Sequence, residues 1–283
     1  MTLKIHATTL SHHVTWFLGT RFPRTFPLVF VVGYPKSGTT WVCQVVADYL
    51  QLPFPRKSLL PVGYSAVVHG HERVWKRYPK CVYVMRDGRD VLVSQYFYMS
   101  KSIPDGDHPR MTTGQRRLFP SLVNKADTDR NLTAFIEHVM RKPESARVNW
   151  AEHLRSYYAS DNPNVVLLRY EDLLQDGPDA LGRAMAELTG EEADPDRARA
   201  SLERFSFERQ AGRRRGDGQR SSFYRKGLAG NWANYFTRSA AEAFDRSCGD
   251  MLIRAGYEAD RSWIESCSPA HSDAAATPAA GPC

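Results

Sequence analysis

The apolar runs of this chain do not alternate. Leu28–Val32 and Val165–Leu168 are apolar at every position, and Cys81–Met85 and Tyr64–Val68 come close. Strands with one wet face alternate apolar and polar residues, whereas unbroken runs mark parallel strands covered on both faces. Each run is followed by a turn or a segment of helical period, and helices are expected at Val42–Leu50, from Val91, and over about 131–141, 145–159, 178–189 and 239–254. Strands and helices in this order predict an α/β fold, a single domain with a central, mostly parallel sheet flanked by helices.

Between these elements the pattern weakens. Residues 1–27 have little periodicity and several turn formers, and His12, His13, Trp16, Phe17, Phe22 and Phe26 are read there as packing residues or cover for an opening. Residues 102–130 are broken by Pro104, Gly106, Pro109, Gly114 and Pro120, which predicts a long mobile loop. Arg209–Arg220, with Arg213, Arg214 and Arg215, matches no regular element. From Ser268 onward the Ala/Pro/Ser composition cannot bury a core and is expected to be disordered. The expected organisation is a domain over 1–267, with its core motifs in 28–245, and a tail over 268–283.

The first apolar run leads into Gly33-Tyr34-Pro35-Lys36-Ser37-Gly38-Thr39-Thr40-Trp41. A strand, a glycine-bounded turn and a helix aim backbone N–H groups and a positive helix end at a phosphate. The two glycines have P-loop spacing, but Thr39 and Thr40 follow the second where a nucleoside-triphosphate site needs lysine, and Lys36 lies inside the loop. The third run ends at Arg86, with Asp87 only after it, so a cation precedes any metal-binding carboxylate. The expected ligand carries less charge at its reacting end than a triphosphate and needs no Mg²⁺. His69, His71, Arg86 and Tyr170 also fall at carboxyl ends of strands, where ligands of such sheets gather. Asp90 is the expected cap of the helix beginning at Val91.

Composition narrows this only slightly. The 283 residues carry a formal charge of +7, which suits an anionic partner of any kind. Cys43, Cys81, Cys248, Cys267 and Cys283 form no metal-ligand spacing, and those in apolar runs read as buried thiols of a reducing compartment. With no apolar leader or span in view, the expected location is cytoplasmic, without membrane or nucleic-acid partners.

Four segments together resemble the soluble sulfotransferases that use 3′-phosphoadenosine-5′-phosphosulfate (PAPS). They are Tyr34–Trp41, Arg86–Ser94, Arg169–Leu173 and Arg225–Trp232, in the family's order. The resemblance implies a 5′-phosphate held by the amides of Ser37, Gly38, Thr39 and Thr40 and by the threonine hydroxyls. It implies Lys36 at the bridging oxygen, Trp41 on the adenine, and Tyr170, Ser206 and Phe207 at the adenine edge. The 3′-phosphate would meet Arg86, Ser94, Arg225, Lys226 and Gly227, with Arg89 a surface charge pairing with Asp87 or Asp90. His71 would be the base, with His69 the alternative, and Ser94 would hold Lys36 or the 3′-phosphate. PAPS would be the co-substrate and 3′,5′-adenosine bisphosphate (PAP) the product, with no metal. The acceptor would be a hydroxyl of a small molecule. Tyr96-Phe97-Tyr98-Met99, residues 102–130, Phe22 and Phe26 suggest an apolar or aromatic one. Asn231 stands where the family has aspartate, and Ala233 and Thr237-Arg238 depart from its dimerisation stretch, so monomer and homodimer both stay open. The rival readings are a P-loop small-molecule kinase using ATP and Mg²⁺ and a basic nucleic-acid-binding protein.

Overall fold

A computed structural model of the chain describes residues 2–56, 58–73, 76–143, 146–212 and 227–269. In chain order the elements are α1 (Thr2–Arg21), β1 (Leu28–Gly33), α2 (Thr39–Leu50), β2 (Ala66–Gly70), β3 (Cys81–Met85), α3 (Gly88–Ser100), α4 (Thr113–Leu118) and α5 (Thr128–Arg141). They continue with α6 (Trp150–Tyr158), β4 (Val165–Arg169), α7 (Tyr170–Gln175), α8 (Gly177–Thr189), α9 (Pro195–Arg204), α10 (Phe207–Ala211) and α11 (Arg238–Arg254). The four strands make one sheet in the order β2-β1-β3-β4, and every pairing is parallel. Two compact units are present. The first comprises the described residues of Met1–Arg86, Glu152–Asp217 and Lys226–Leu228; the second comprises those of Asp87–Ala151, Gly218–Arg225 and Ala229–Cys283.

The first unit contains the whole sheet. One face is closed by Val29, Val31, Val67, Val82, Val84, Val166 and Leu168 against α2, α8 and α9, whose Val42, Val45, Val46, Leu181, Met185 and Ala198 belong to the same buried cluster. On the other face Phe30 packs edge-on to Trp16, at 4.7 Å between centroids, and stacks on Tyr78 at 5.1 Å. Burial on both faces is why the strand sequences do not alternate.

Trp16 lies on α1, a 20-residue helix that the weak periodicity over 1–27 did not announce. Its inward stripe is made of small or polar residues, Ser11, Thr15 and Gly19, beside Trp16, and this hides the helical period. A Cβ on Gly19 would meet the Leu28 side chain at 2.7 Å and the Phe30 ring at 2.8 Å, so a larger residue there would displace these side chains or the helix. Thr15 Oγ1 accepts from the amide of Val62 at 2.9 Å, and Trp16 Nε1 donates to the Tyr78 hydroxyl at 3.1 Å. Phe17 and Phe22 stay exposed, and packing describes Trp16 rather than these two.

The second unit is helical. α5 lays Leu132, Phe135, Ile136, Val139 and Met140 into its core, and α11 contributes Ala240, Phe244, Cys248 and Leu252. The Cys248 thiol meets Met140 Sδ at 3.5 Å. Tyr96 and Phe97 of α3 are buried here: Tyr96 packs against Phe119 and Phe135, and Phe97 against Tyr235. Residues 102–130 are not an unstructured loop. α4 starts in a reciprocal capping box between Thr112 and Gln115, and Asp107 bridges to Asn124. The cap of α3 is Asp87, whose carboxylate accepts from the Arg89 amide, and the helix opens at Gly88 rather than Val91. Asp90 reaches the amides of Gly230 and Trp232 instead, at 2.8 Å each. Arg89 is no surface charge. It is 2% exposed, grips Asp87 and Glu258, and lies over the rings of Trp232 (3.7 Å) and Trp263 (4.8 Å).

At the C-terminus Ser268 pairs with Thr237, and the rest of the expected tail, from 270, lies outside the described residues. Of the arginine-rich stretch, residues 209–211 belong to α10, and 213–226 lie outside the described residues. Cys43 and Cys81 are buried free thiols, as expected, and Cys248 and Cys267 are buried free thiols as well.

Candidate active site

β1 runs straight into a turn in which the Ser37 amide donates to the Tyr34 carbonyl at 3.1 Å. Lys36, inside it, has φ 74°, a left-handed conformation that a lysine adopts at a cost of roughly 1–3 kcal/mol and that persists where the surroundings hold it. Gly38 follows with φ 88°, and a Cβ there would meet the Tyr170 ring at 2.7 Å. Glycine is required on both counts. α2 then begins at Thr39 with no side chain capping its first turn. The leading amides of a helix have no intrahelical partner, so those after Gly38 point their positive end out of the turn.

Two buried atoms test whether an anion suits this cradle. Ser37 Oγ and Thr39 Oγ1 belong to residues 1% and 3% exposed and find no hydrogen-bond partner among the described residues. A hydroxyl buried unpaired costs about 1–3 kcal/mol, so the pair fits a ligand that supplies acceptors. A phosphate does. The Ser37 amide is used within the turn, which leaves the phosphate to the amides from Gly38 onward and to the hydroxyls.

Around the cradle the first unit gathers most of the expected contacts. Arg86 Nη1 donates to the Lys36 carbonyl at 3.2 Å, and Nη2 to the Leu228 carbonyl at 3.0 Å. Its guanidinium lies 4.2 Å from the Tyr170 ring centroid. Arg86 therefore braces the loop against the segment at 227–228, a role absent from the sequence reading. Gly227 has φ 67°, and a Cβ on it would meet the Phe207 ring at 2.6 Å, so Phe207 and Gly227 lie face to face. Trp41 sits edge-on to Tyr170 at 5.6 Å and donates its indole N–H to the Phe205 carbonyl at 2.8 Å. It is also part of the α2 core, so packing and ligand contact are compatible roles. Ser206 caps α10 by accepting from the Arg209 amide at 3.4 Å. Thr40 is half-buried on the first turn of α2. Ser94 is half-buried on α3 and belongs to the second unit. Arg225 and Lys226 lie outside the described residues.

His71 follows the end of β2. Its Nδ1 is 2.7 Å from the Gly33 carbonyl, which can only accept, so the proton sits on Nδ1 and the lone pair on Nε2. Burial lowers its pKa from the usual 6.5, with the Gly33 bond and the Glu72 charge opposing and the Lys36 charge adding to the fall. His69, whose ring meets that of His71 at 4.5 Å, is pushed down to about 3, by burial first and then by the His71 charge. Both are neutral bases near pH 7, but among the described residues only His71 has its tautomer fixed by a bond to the carbonyl of Gly33, the first residue of the turn. Among the described residues no group of three His, Cys, Asp or Glu is placed to hold a metal ion.

Two neighbours of His71, Glu72 and His153, escaped the sequence reading, and a third, His12, entered it only as a packing residue or cover. Glu72 Oε2 accepts from the His71 amide at 3.0 Å, and its Oε1 pairs with His12 Nε2 at 2.8 Å. Burial alone would raise the Glu72 pKa; the hydrogen bond and charge of His12 outweigh it and carry the carboxyl below its usual range. His153, fully buried on α6, bonds the His71 carbonyl through Nε2 at 3.2 Å. The only sequence signal for it was a histidine on the inward face of α6, beside Leu154.

A parallel sheet with a helix-backed phosphate cradle and a neutral histidine beside it defines a group-transfer enzyme acting on a phosphate-bearing donor. The family model described as Sulfotransferase domain matches residues 65–256. The chain belongs to the sulfotransferase family, and its reaction is sulfuryl transfer. It is 25% identical to a 3-alpha-hydroxysteroid sulfotransferase of Cavia porcellus, over 88% of this chain and 96% of that protein. It is also 25% identical to an amine sulfotransferase of Oryctolagus cuniculus, over 77% of this chain and 78% of that one. Its fold resembles mouse sulfotransferase SULT7A1 complexed with PAP, at TM-score 0.58 and 20% identity, covering 84% and 88% of the two chains. Retinol dehydratase in a complex with retinol and PAP gives TM-score 0.56 at 21% identity, covering 83% and 84%.

Proposed function

We propose that this chain transfers the sulfuryl group of PAPS to a hydroxyl of a small apolar or aromatic molecule, releasing PAP. The observation that carries this reading is the pair of hydroxyls on Ser37 and Thr39, unpartnered among the described residues, beneath an uncapped helix end, with no lysine after Gly38. They suit a single terminal phosphate and lack the lysine that a triphosphate site requires. The 5′-phosphate would rest on Gly38, Thr39 and Thr40 with Ser37 Oγ. Trp41, Tyr170, Ser206 and Phe207 would border the base. Arg86 and the Gly227 amide would meet the 3′-phosphate, with Arg225, Lys226 and Ser94 as further contacts implied by the family resemblance.

PAPS supplies the transferable sulfuryl group; the chain supplies a base and a cation. His71 Nε2 would take the acceptor's proton as the new O–S bond forms, a contribution of about 10²–10⁴ in rate for a placed general base. The Lys36 ammonium would face the oxygen left on phosphorus as the old S–O bond breaks. The steroid and retinol named with related proteins support an apolar acceptor. No helix among the described residues is long and apolar enough to cross a membrane, which agrees with a cytoplasmic enzyme.

The test is a screen of alcohols, phenols, amines and sugars with sulfur-labelled PAPS, reading labelled product by mass. Transfer to a hydroxyl is expected, with no metal added. Phosphorylated product from ATP and Mg²⁺, with none from PAPS, would replace this reading by the kinase.

A further inference from the structure

His71 is held from three directions, and the sequence accounts for none of the holders. Its ring bonds Gly33, its amide bonds Glu72, and its carbonyl is bonded by His153. The third contact is the least expected. His153 is 0% exposed, and both of its ring nitrogens are engaged. A carbonyl can only accept, so Nε2 carries the proton toward His71. Nδ1 must then accept, and the Tyr83 hydroxyl 2.9 Å away is its donor. The chain of bonds therefore has one direction, from Tyr83 O–H to His153 Nδ1 and from His153 Nε2–H to the His71 carbonyl.

The surroundings lock that direction. Tyr83 stacks on His153 at 5.6 Å between centroids with 18° between planes, and Tyr157 stacks on Tyr83 at 4.7 Å. Tyr34, the first residue after Gly33 in the phosphate turn, meets the His153 ring edge-on at 5.7 Å. The titratable groups around His153 are Tyr34, Tyr83, Tyr157, His71 and Glu72. Burial lowers the His153 pKa to about 4; the bond to the His71 carbonyl and the Glu72 backbone and charge oppose the fall, and the His71 charge adds to it, while burial raises Tyr83, so both stay neutral and keep their protons in place.

From this geometry we infer that His153, oriented by Tyr83, is a positioning residue that aims the base by fixing the peptide carbonyl of His71. The inference rests on His71 being the base. A core histidine serving packing alone would need no bond to that one peptide. Releasing the carbonyl lets the Gly70–Glu72 chain shift, and the ring then leaves the Gly33 carbonyl that sets its tautomer.

The experiment combines imidazole nitrogen NMR of His71 with steady-state turnover of PAPS, using the acceptor the screen returns. PAP affinity of each variant is measured by calorimetry. In the unmodified protein His71 is expected as one tautomer with the proton on Nδ1. His153→Leu should give averaged tautomers at His71 and lower kcat by about 10-fold or more, as expected for a misaimed catalytic group. PAP affinity should stay within about twofold, because His153 meets the phosphate turn through the Tyr34 ring, which supplies none of the phosphate-facing amides or hydroxyls. His153→Gln, whose amide can donate to the same carbonyl, should restore the single tautomer and most of kcat. A His153→Leu protein that keeps one tautomer and full kcat overturns the inference. So does one that loses PAP affinity in step with kcat, since that marks a structural role. If His153→Leu does not fold, Tyr83→Phe decides on the same readouts, because it removes only the donor hydroxyl. His71→Ala runs in parallel: full turnover there removes the base itself, while the tautomer measurement still reports whether His153 positions the ring.

Discussion

The phosphate turn and the Arg89 corner both bury polar groups, and they treat them in opposite ways. In the second unit, Arg89 is 3% exposed at its side chain and meets Asp87 and Glu258, with Trp232 and Trp263 against its guanidinium; Asp90 accepts two amides. In the first unit, Ser37 and Thr39 bury hydroxyls that find no partner among the described residues, and Lys36 holds a left-handed backbone. One region uses polar groups to fix its own conformation. The other leaves them without a partner among the described residues, at a cost to its own stability, where the ligand's phosphate is proposed to sit. The contrast separates structural from functional use of near-identical motif residues: Arg86 and Arg89 are three apart in sequence, yet one braces the ligand turn and the other is sealed in an ion-pair network.

Arg89→Ala should show the largest effect. It leaves Asp87 and Glu258 without their buried counterion and should cost about 3–5 kcal/mol of stability, read by urea unfolding. Retained stability would mean the corner is not the keystone its bonds suggest. Lys36→Ala should do the reverse, lowering kcat by about 10²-fold or more while the unfolding midpoint hardly moves and PAP still binds. Equal turnover would remove Lys36 from the reaction. Thr39→Val is the sharper probe of the contrast. Deleting an unpaired hydroxyl should leave the ligand-free protein as stable or more so, yet weaken PAP binding by about tenfold, the value of roughly one charge-assisted bond. Loss of stability without loss of affinity would assign Thr39 to the Arg89 type of role.

The smallest effect is on pH. His69 and His153 have folded pKa values depressed to about 3 and about 4, from 6.5 in an unfolded chain. Below 6.5 the unfolded chain takes up protons that the folded one refuses. Their linkage leaves stability unchanged above 6.5 and erodes it as pH falls from there toward 4 and then 3. Replacing His153 by Gln should flatten the part of that slope lying between 6.5 and 4. The His71 pKa is also lowered, so the acid limb of kcat/KM should fall below pH 6.5; a limb above it would point to a different base.

These opposite uses also decide what the sequence could reveal. Three strands were legible because burial on both faces leaves unbroken apolar runs; β2, read at Tyr64–Val68, runs over Ala66–Gly70 because Tyr64 is exposed and the strand continues through His69 and Gly70. The phosphate turn was legible because its glycines must stand at fixed places. Gly38 is pressed by Tyr170, and Gly33 by the Val84 carbonyl. α1 was not legible, since its buried stripe runs through Ser11, Thr15 and Gly19 and its outer face carries Leu10 and Phe17. Nor was the length of α3, because Asp87 and Asp90 can each cap a helix and only the fold shows Asp90 turned toward Gly230 and Trp232. The clamp on His71 was beyond reach for another reason: Tyr83 and His153 are 70 residues apart, and His153 and His71 are 82 apart, so no local spacing links them.

The central claim is that the cradle and its brace accept an adenosine carrying a phosphate at each end of its ribose. Calorimetric titration with 3′,5′-adenosine bisphosphate and with 5′-AMP tests it most directly. The bisphosphate should bind at least about tenfold more tightly, since its extra phosphate gains at least one charge-assisted contact worth about 1.5–3 kcal/mol. Equal affinity for the two would contradict the account.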